Sequence, residues 1–487
     1  MGSKHILILL LIIFEKAINK VTKDKDSLYI AVDFGSYKTF YAYNFGNDIN
    51  NIIYGRALYI PSEIILYRNL NIKNYGATSF SSFINYNKEE KNEVVYIRNL
   101  KNNLFDFENS NQLIKDNIYP INYEVPLETA IIEYLKRLTN DIIKEIKNLP
   151  KYKNLIISKK DSQWIFTIPK IWSIEAIIFF KNCIKKAEIN NIRLISKPDA
   201  SSLTIFDDLT IDEEVKEKGN RFMLIDLGAH LVQITINEIG EDNGVIKQII
   251  NPIGGDFGSM NINNDLLEII KYVLGNDTIN NAKLNQEAEY IRLLEDIEKM
   301  KKNIKENYDF DYEIPIRFKI KGFKYLFFPK KRKEYNNYII RYDHGYIYIP
   351  CKLVLEIIEN RINEIIDFIN KINLKKYKIN QIFLTGGFSK NTILINLLKK
   401  NITDIPVYLL YNQEKTIVKG ALIGIINKNK IIQKNNENIQ IYRAKKFRIV
   451  EIVEDTYPKS LAILMAFLLI FIIKVMLYFF NHFYYNN

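Results

Sequence analysis

The chain has 487 residues, 47% of them hydrophobic and 25% charged, enough for two or three domains or one large two-lobed fold. Its net charge of +12 is spread through a sequence crowded with Ile, Asn and Lys, with no basic stripe interleaved with aromatics, so no nucleic-acid partner is expected. The two cysteines, Cys183 and Cys351, exclude a disulfide framework or a CxxC metal site and read as buried thiols.

Taken in chain order, residues 1–24 begin with Met1 to His5 and then nine consecutive apolar residues, Ile6 to Phe14. That is the n-region and h-region of a secretory signal, too short to span a bilayer. The alternative is an amphipathic or buried N-terminal helix. Residues 28–45 alternate and predict a hairpin, Leu28 to Phe34 and Thr39 to Phe45, around the turn Gly35-Ser36-Tyr37-Lys38. Residues 46–120 are polar and read as irregular. An amphipathic helix is predicted over 127–148, a strand over 164–169 and a helix over 173–187. A short strand at 193–196 runs into Pro198, which opens another helix.

The second half repeats the design. Residues 221–239 predict a hairpin around the Gly228 turn, and 285–306 a long charged helix. A helix over 354–372 leads into the strand 381–385. A helix at 394–400, a strand at 407–410 and a helix at 415–426 follow. Mixed sheets with crossing helices are α/β. Two halves of similar design, 25–220 and 221–427, are expected as lobes I and II.

Residues 428–460 read as a polar linker before the run Leu461 to Phe480, which only Lys474 interrupts. About 20 apolar residues of helix cross a hydrocarbon core, and Lys474 near the end can snorkel. A transmembrane helix at 461–480 is expected, with a buried core helix as the alternative. The basic flank Lys445, Lys446, Arg448 and Lys459 places the body in the cytosol by the positive-inside rule. A cleaved N-terminal signal places it in the lumen of the secretory pathway, for which the endoplasmic reticulum is the preferred site. Long domains translocate regardless of loop charge, so the lumenal placement is preferred and a tail-anchored, cytosol-facing body is the alternative.

Three separated segments carry the chemistry: Ile30-Ala-Val-Asp33-Phe-Gly35-Ser36, Leu224-Ile-Asp226-Leu-Gly228 and Ile382-Phe-Leu-Thr-Gly386-Gly387-Phe-Ser389. Each is an apolar strand ending in a small turn, and two hold an aspartate. Glycine turns let backbone N–H groups approach phosphate, and a carboxylate nearby can face a metal ion. In Glu298-Lys-Met-Lys301-Lys302-Asn-Ile-Lys305, helical spacing puts a carboxylate and amines on one face. Alone, that cluster also fits a solvated charged helix.

In order and spacing, residues 28–427 resemble the actin/Hsp70-type ATPase superfamily, and most of all Hsp70-like proteins of the divergent Hsp70-12 type. Asp33-Phe-Gly35-Ser36, continued by Tyr37-Lys38, resembles the first phosphate loop, and Asp226-Leu-Gly228 the second. Gly254-Gly255-Asp256-Phe257-Gly258 resembles the motif that follows it. Glu298, Lys301, Lys302 and Lys305 resemble the helix along the adenosine, and Gly386-Gly387-Phe388-Ser389-Lys390 the adenosine loop. Asn412-Gln-Glu414 followed by Val418-Lys419-Gly420-Ala421 resembles the closing helix. The resemblance implies an actin-like two-lobed fold, duplicated RNase H-like halves, with ATP or ADP between the lobes and Mg2+ near Asp33 and Asp226. The family's catalytic lysine matches either Lys101, which is preferred, or Arg98.

The departures bear on hydrolysis. Where the family's second phosphate loop continues Gly-Gly-Thr-x-Asp, this chain has Ala229-His230-Leu231-Val232-Gln233, and the family's Glu-Pro is Lys197-Pro198. Losing a Thr, an Asp and a Glu from a phosphoryl-transfer site removes several kcal/mol of transition-state stabilisation, at about 2–4 for each donor. The C-terminal remainder is too short for an Hsp70 peptide-binding sandwich and lid. The expected function is a membrane-anchored Hsp70-like nucleotide-binding protein with weak or absent hydrolysis, a chaperone-related or regulatory role and an unidentified protein partner. Three alternatives stand beside it: an ATP hydrolase with other residues replacing the lost ones, a scaffold that binds no nucleotide, and a small-molecule kinase of the same superfamily.

Overall fold

The computed structural model describes residues 27–57, 59–114, 118–121, 123–153, 157–240, 245–304, 312–319, 331–335, 337–372, 374–402, 404–426 and 432–433. The N-terminal segment 1–24, the run 461–480 and Lys305 lie outside them, as does most of the linker. No described helix is long and apolar enough to cross a membrane.

Two sheets set the frame, and they share one plan. In the first, the hairpin Leu28–Phe34 and Lys38–Phe45 is continued on its inner side by two parallel strands, Gln163–Ile168 and Ile192–Ser196. In the second, the hairpin Arg221–Leu227 and Val232–Ile239 is continued by parallel Gln381–Thr385 and Val407–Leu409. Both inner strands read as apolar runs because helices cover them on both faces. The register matches too. Asp33 stands opposite Phe40 and Asp226 opposite Gln233, each near the turn end of its hairpin.

Two main cores underlie the lobes and exchange side chains, Leu231 joining the first and Ile65, Phe83, Val94, Tyr96 and Tyr119 the second. The first packs Leu127–Lys147 and Ile174–Lys186 against the sheet around Trp164, Phe166, Trp172 and Phe180, with Cys183 among them. The second packs Met260–Leu274, Glu287–Asn303 and Cys351–Asn370 around Ile225, Ile234 and Leu384, with Cys351 among them. Both cysteines are buried free thiols.

Lys197–Leu203 and Gln413–Ile426 cross at the joint between the lobes. A Cβ on Gly420 would sit 1.7 Å from the Ala200 carbonyl oxygen, so only glycine permits this approach. Ala31, Ala42, Ile165 and Ala200 pack there against Ile417, Val418, Ala421 and Leu422.

The stretch 46–120 is not irregular. It holds a four-stranded sheet, ordered Ile72–Tyr75, Ile64–Tyr67, Val94–Ile97, Ile118–Tyr119, with the helix Ala77–Asn85. Its strands are two to four residues long, too short for alternation to show, and Val94 to Ile97 are all buried. A matching sheet, Glu313–Arg317, Tyr346–Pro350, Tyr338–Asp343 and Lys331–Tyr335, stands on the second lobe. Within the predicted linker, Ile432–Gln433 pairs in parallel with the strand Ile246–Gln248.

Candidate functional site

Between the sheets lies a cavity of about 470 Å³. Both hairpin turns open onto it, bringing Gly35, Ser36, Tyr37 and Lys38 from one lobe to face Gly228 from the other. In the second turn the Gly228 N–H donates to the Leu231 carbonyl at 3.0 Å, and a Cβ at Gly228 would stand 2.7 Å from that oxygen. The strand Gln381–Thr385 ends at Gly386, whose φ of +87° suits glycine. A Cβ there would also stand 2.4 Å from the Leu227 carbonyl oxygen and 2.7 Å from Asp226 Oδ1. The third turn is thereby pressed against the second.

Asp33 and Asp226 lie on the cavity floor, both buried. Lys197 reaches them because its strand, Ile192–Ser196, runs straight into a helix. Ser196 caps that helix by accepting from the Asp199 N–H at 3.2 Å, and Pro198 fixes the first turn. Lys197 Nζ stands 2.8 Å from Asp33 Oδ1 and 3.2 Å from Oδ2. Thr167 Oγ1 donates to Oδ1 as well. Lys101, on the short turn Leu100–Leu104, donates to the Phe34 carbonyl and lies 5.0 Å from the Trp172 ring centroid. Gln233 donates from Nε2 to Asp226 Oδ2 at 3.0 Å and accepts the Lys170 N–H at 2.6 Å. It ties the second lobe's carboxylate to the first lobe's backbone.

The charges split the two aspartates. Burial pushes the Asp33 carboxyl up, but Lys197 and Lys101 outweigh it and hold the group below its ordinary range. Burial pushes Asp226 up, Asp33 adds to this, and Lys197 and Lys101 only partly offset it, so its carboxyl stays above the ordinary range. Lys101 is driven well below the usual amine range by burial and by Lys197. Lys197 is pulled down by burial, yet Asp33 and Asp226 leave it above the usual range.

At the mouth, Glu298 joins Lys301 at 2.6 Å and Lys302 at 2.9 Å. It also accepts from Asn263 at 2.7 Å. Burial raises the Glu298 carboxyl, but the two lysines bring it below its usual range. Lys302 sits 4.7 Å from the Tyr37 ring centroid, across the cleft. On the other side Glu414 bridges Lys38 at 3.1 Å and Lys390 at 2.7 Å.

Six lysines (38, 101, 197, 301, 302 and 390) face the cavity against four carboxylates, Asp33, Asp226, Glu298 and Glu414. A cleft lined this way favours an anion. It does not fit a divalent metal on Asp33 and Asp226. Both Asp33 oxygens already face Lys197, and one Asp226 oxygen is held by Gln233. Among the described residues no three His, Cys, Asp or Glu side chains converge as metal ligands. Two unit charges 4 Å apart interact by roughly 4 kcal/mol at an effective dielectric constant of 20, and a divalent ion beside an ammonium faces about twice that in repulsion.

Of the residues singled out in the sequence, Asp33, Gly35, Ser36, Tyr37, Lys38, Lys101, Asp226, Gly228, Glu298, Lys301, Lys302, Gly386, Gly387, Lys390 and Glu414 line the cavity. Lys101 is buried there, whereas Arg98 pairs with Glu63 and Glu295 away from it. Gly254, Gly255 and Asp256 do not line it. Ile253–Gly255 is a strand pairing with Val232 to Ile234, behind the second turn, and Asp256 is half-exposed beside His230 at 3.4 Å. Ser389 is buried, its Oγ donating to the Gly386 carbonyl at 2.7 Å, so it braces the turn from within. Sequence reasoning read Lys197 as a cation in place of the family's glutamate and passed over Phe105, Trp172, Ser259 and Met260, all of which line the cavity. For Lys197 the signal was the Lys-Pro pair itself. For the others there was none, because they come from loops and helix starts with no motif.

No family model matches the chain. It is similar to heat shock 70 kDa protein 12B of Homo sapiens, 17% identical over 478 residues, covering 82% of this chain and 68% of that protein. To heat shock 70 kDa protein 12A of Homo sapiens it is 20% identical over 220 residues, so the match spans 42% of this chain and about a third (32%) of that protein. Among solved structures it is similar to MreB5 of Spiroplasma citri bound to AMPPNP, with a TM-score of 0.51, 12% identity, and coverage of 83% of this chain and 97% of that one. The ADP-bound form of that protein gives a TM-score of 0.52. The structural likenesses show an actin-like, two-lobed α/β fold.

Proposed function

We propose that this divergent Hsp70/actin-like ATPase domain binds ATP or ADP between its lobes and hydrolyses ATP slowly or not at all. The observation that carries the reading is the cleft, where three glycine-bearing turns and an excess of lysines surround about 470 Å³. The neighbour of the same fold has been solved with AMPPNP and with ADP. The turn N–H groups of Gly35 to Lys38 and of Ala229 and His230 receive the phosphates, and Lys197 supplies the opposing charge, with Lys101 beside it. Glu298, Lys301 and Lys302 with the Gly386 turn hold the nucleoside.

Slow hydrolysis follows from what faces the phosphates. Leu231 offers no hydroxyl and packs into the first lobe's core, and Gln233 is held by Asp226 and Lys170. Neither residue can orient a water as a free carboxylate would. Isothermal titration of the full chain in detergent with ATP and with ADP tests the reading. Binding in the micromolar range is expected, and no heat at millimolar nucleotide rejects it.

The proposed cellular role is regulatory or chaperone-related, with nucleotide setting the lobe arrangement that a protein partner reads. Support comes from the resemblance to the 12A and 12B heat shock proteins. Residues 461–480 are proposed as a membrane anchor and the body as lumenal. Carbonate extraction that releases the protein counts against the anchor, and protease cleavage of the body in sealed microsomes counts against the lumenal placement.

A scaffold that uses no nucleotide is the second reading, because the Lys197–Asp33 ion pair satisfies the floor without a ligand. Thermal stability separates the two. A ligand at a hundredfold its Kd adds about 2.7 kcal/mol, and a scaffold shows no shift.

A further inference from the structure

We propose that Lys197, assisted by Lys101, takes the place of a divalent metal on the cleft floor, so that this chain binds nucleotide without magnesium. The inference rests on the nucleotide reading above and names the counter-ion of that same site.

The argument is geometric. Lys197 Nζ stands within 3.2 Å of both oxygens of Asp33, the carboxylate that a hydrated metal would otherwise engage. Magnesium demands near-octahedral oxygen ligands at about 2.0–2.1 Å, commonly from one or two carboxylates, phosphates and water. Here the carboxylates are already engaged by Lys197, Thr167 and Gln233. Both lysines line the cavity, as do Gly35 to Lys38 and Gly228 to Leu231 of the two turns. A phosphate entering between the turns meets the Lys197 ammonium in a buried site, where charge-assisted hydrogen bonds are strongest, with Lys101 beside it as a further donor.

The position of Lys197 is built rather than incidental. Its strand pairs in parallel with Gln163–Ile168 at the edge of the first sheet, its helix is capped by Ser196, and Lys170 holds the next acid, Asp199. Its side chain is only 15% exposed.

The test is equilibrium binding of the fluorescent analogue MANT-ADP to the full chain in detergent, once in EDTA and once in millimolar MgCl2. The wild type is expected to bind equally well in EDTA, within about twofold, or more tightly, because free ADP carries more negative charge than its magnesium complex. Lys197→Gln is expected to lose about tenfold or more in EDTA, the worth of a hydrogen bond to a charged group. Lys197→Glu, which returns a carboxylate, is expected to bind only when magnesium is present. Circular dichroism melting without ligand shows whether each variant is folded, and Lys197→Gln carries the test if Lys197→Glu is not. Binding by the wild type that is tenfold or more tighter in magnesium overturns this inference and leaves the nucleotide reading intact. No binding in either condition overturns both.

Discussion

The two hairpins of the molecule have the same backbone and opposite electrostatics. Asp33 and Asp226 occupy equivalent positions, each opposite the residue seven places on and each beside a threonine, Thr167 or Thr385, from the neighbouring parallel strand. The first is held ionised by Lys197, and the second is bound to a neutral glutamine and pushed towards protonation. A duplicated frame therefore delivers two carboxylates to one cleft, while single side chains from the connecting segments decide what each carboxylate is. Lys101 and Lys197 both come from the first lobe.

The largest expected effect tests the joint that both halves share. Gly420→Val drives a side chain into the Ala200 carbonyl, and a loss of about 3 kcal/mol or more is expected in chemical denaturation. Unchanged stability would mean that the helices at the joint do not cross this closely.

Next come the aspartates, where the comparison breaks or holds. Asp33→Asn leaves Lys197 buried beside a neutral group, and a loss of about 3 kcal/mol is expected at pH 7. Asp226→Asn removes a carboxylate disfavoured by burial and keeps an oxygen for Gln233, so stability at pH 7 is expected to hold or rise. The pH dependence has opposite signs. Asp33, with its folded value below 3.8, contributes stability that is present above 3.8 and lost as pH falls through the lower folded value. Asp226, with its folded value above 3.8, destabilises at neutral pH, and that penalty fades as pH falls through the folded value towards 3.8. Thermal melts of both variants between neutral pH and pH 3 measure this. Equal losses at pH 7 would erase the distinction between the two halves.

A smaller effect sharpens the view of the third turn. Gly386→Ala, at positive φ and against the Leu227 carbonyl, is expected to lose about 2 kcal/mol. Gly387→Ala enters open space and is expected to lose less than about 0.5 kcal/mol. The smallest effect is at the mouth. Glu414→Gln releases Lys38 and Lys390 and is expected to change stability by less than about 1 kcal/mol, with the difference vanishing at high salt.

The sequence made the hairpins legible because their strands are long and end at Asp and Gly. The helices at 127–147 and 351–370 were legible because their apolar positions recur at helical spacing over five turns or more. The sheet within 46–120 was not, since its strands are too short to show a period and tertiary packing alone defines them. At the site, local turn chemistry located the floor and the three turns. It also grouped Gly254, Gly255 and Asp256 with the ligand site, and these do not line the cavity, Gly254 and Gly255 pairing with Gln233 and Val232. A motif records which residues belong together, and only the pairing of Ile253–Gly255 with Val232 to Ile234 shows which side they face. Lys197 illustrates the converse. Read against a pattern it is a missing acid, and in the fold it is the cation nearest Asp33.

The central claim is that three distant turns form one nucleotide clamp. Hydrogen–deuterium exchange of the full chain with and without saturating ADP tests it most directly. The account predicts slowed exchange at Gly35 to Lys38, Gly228 to Leu231 and Gly386 to Lys390 together. No slowing at these turns, or slowing confined to other surfaces, would contradict it.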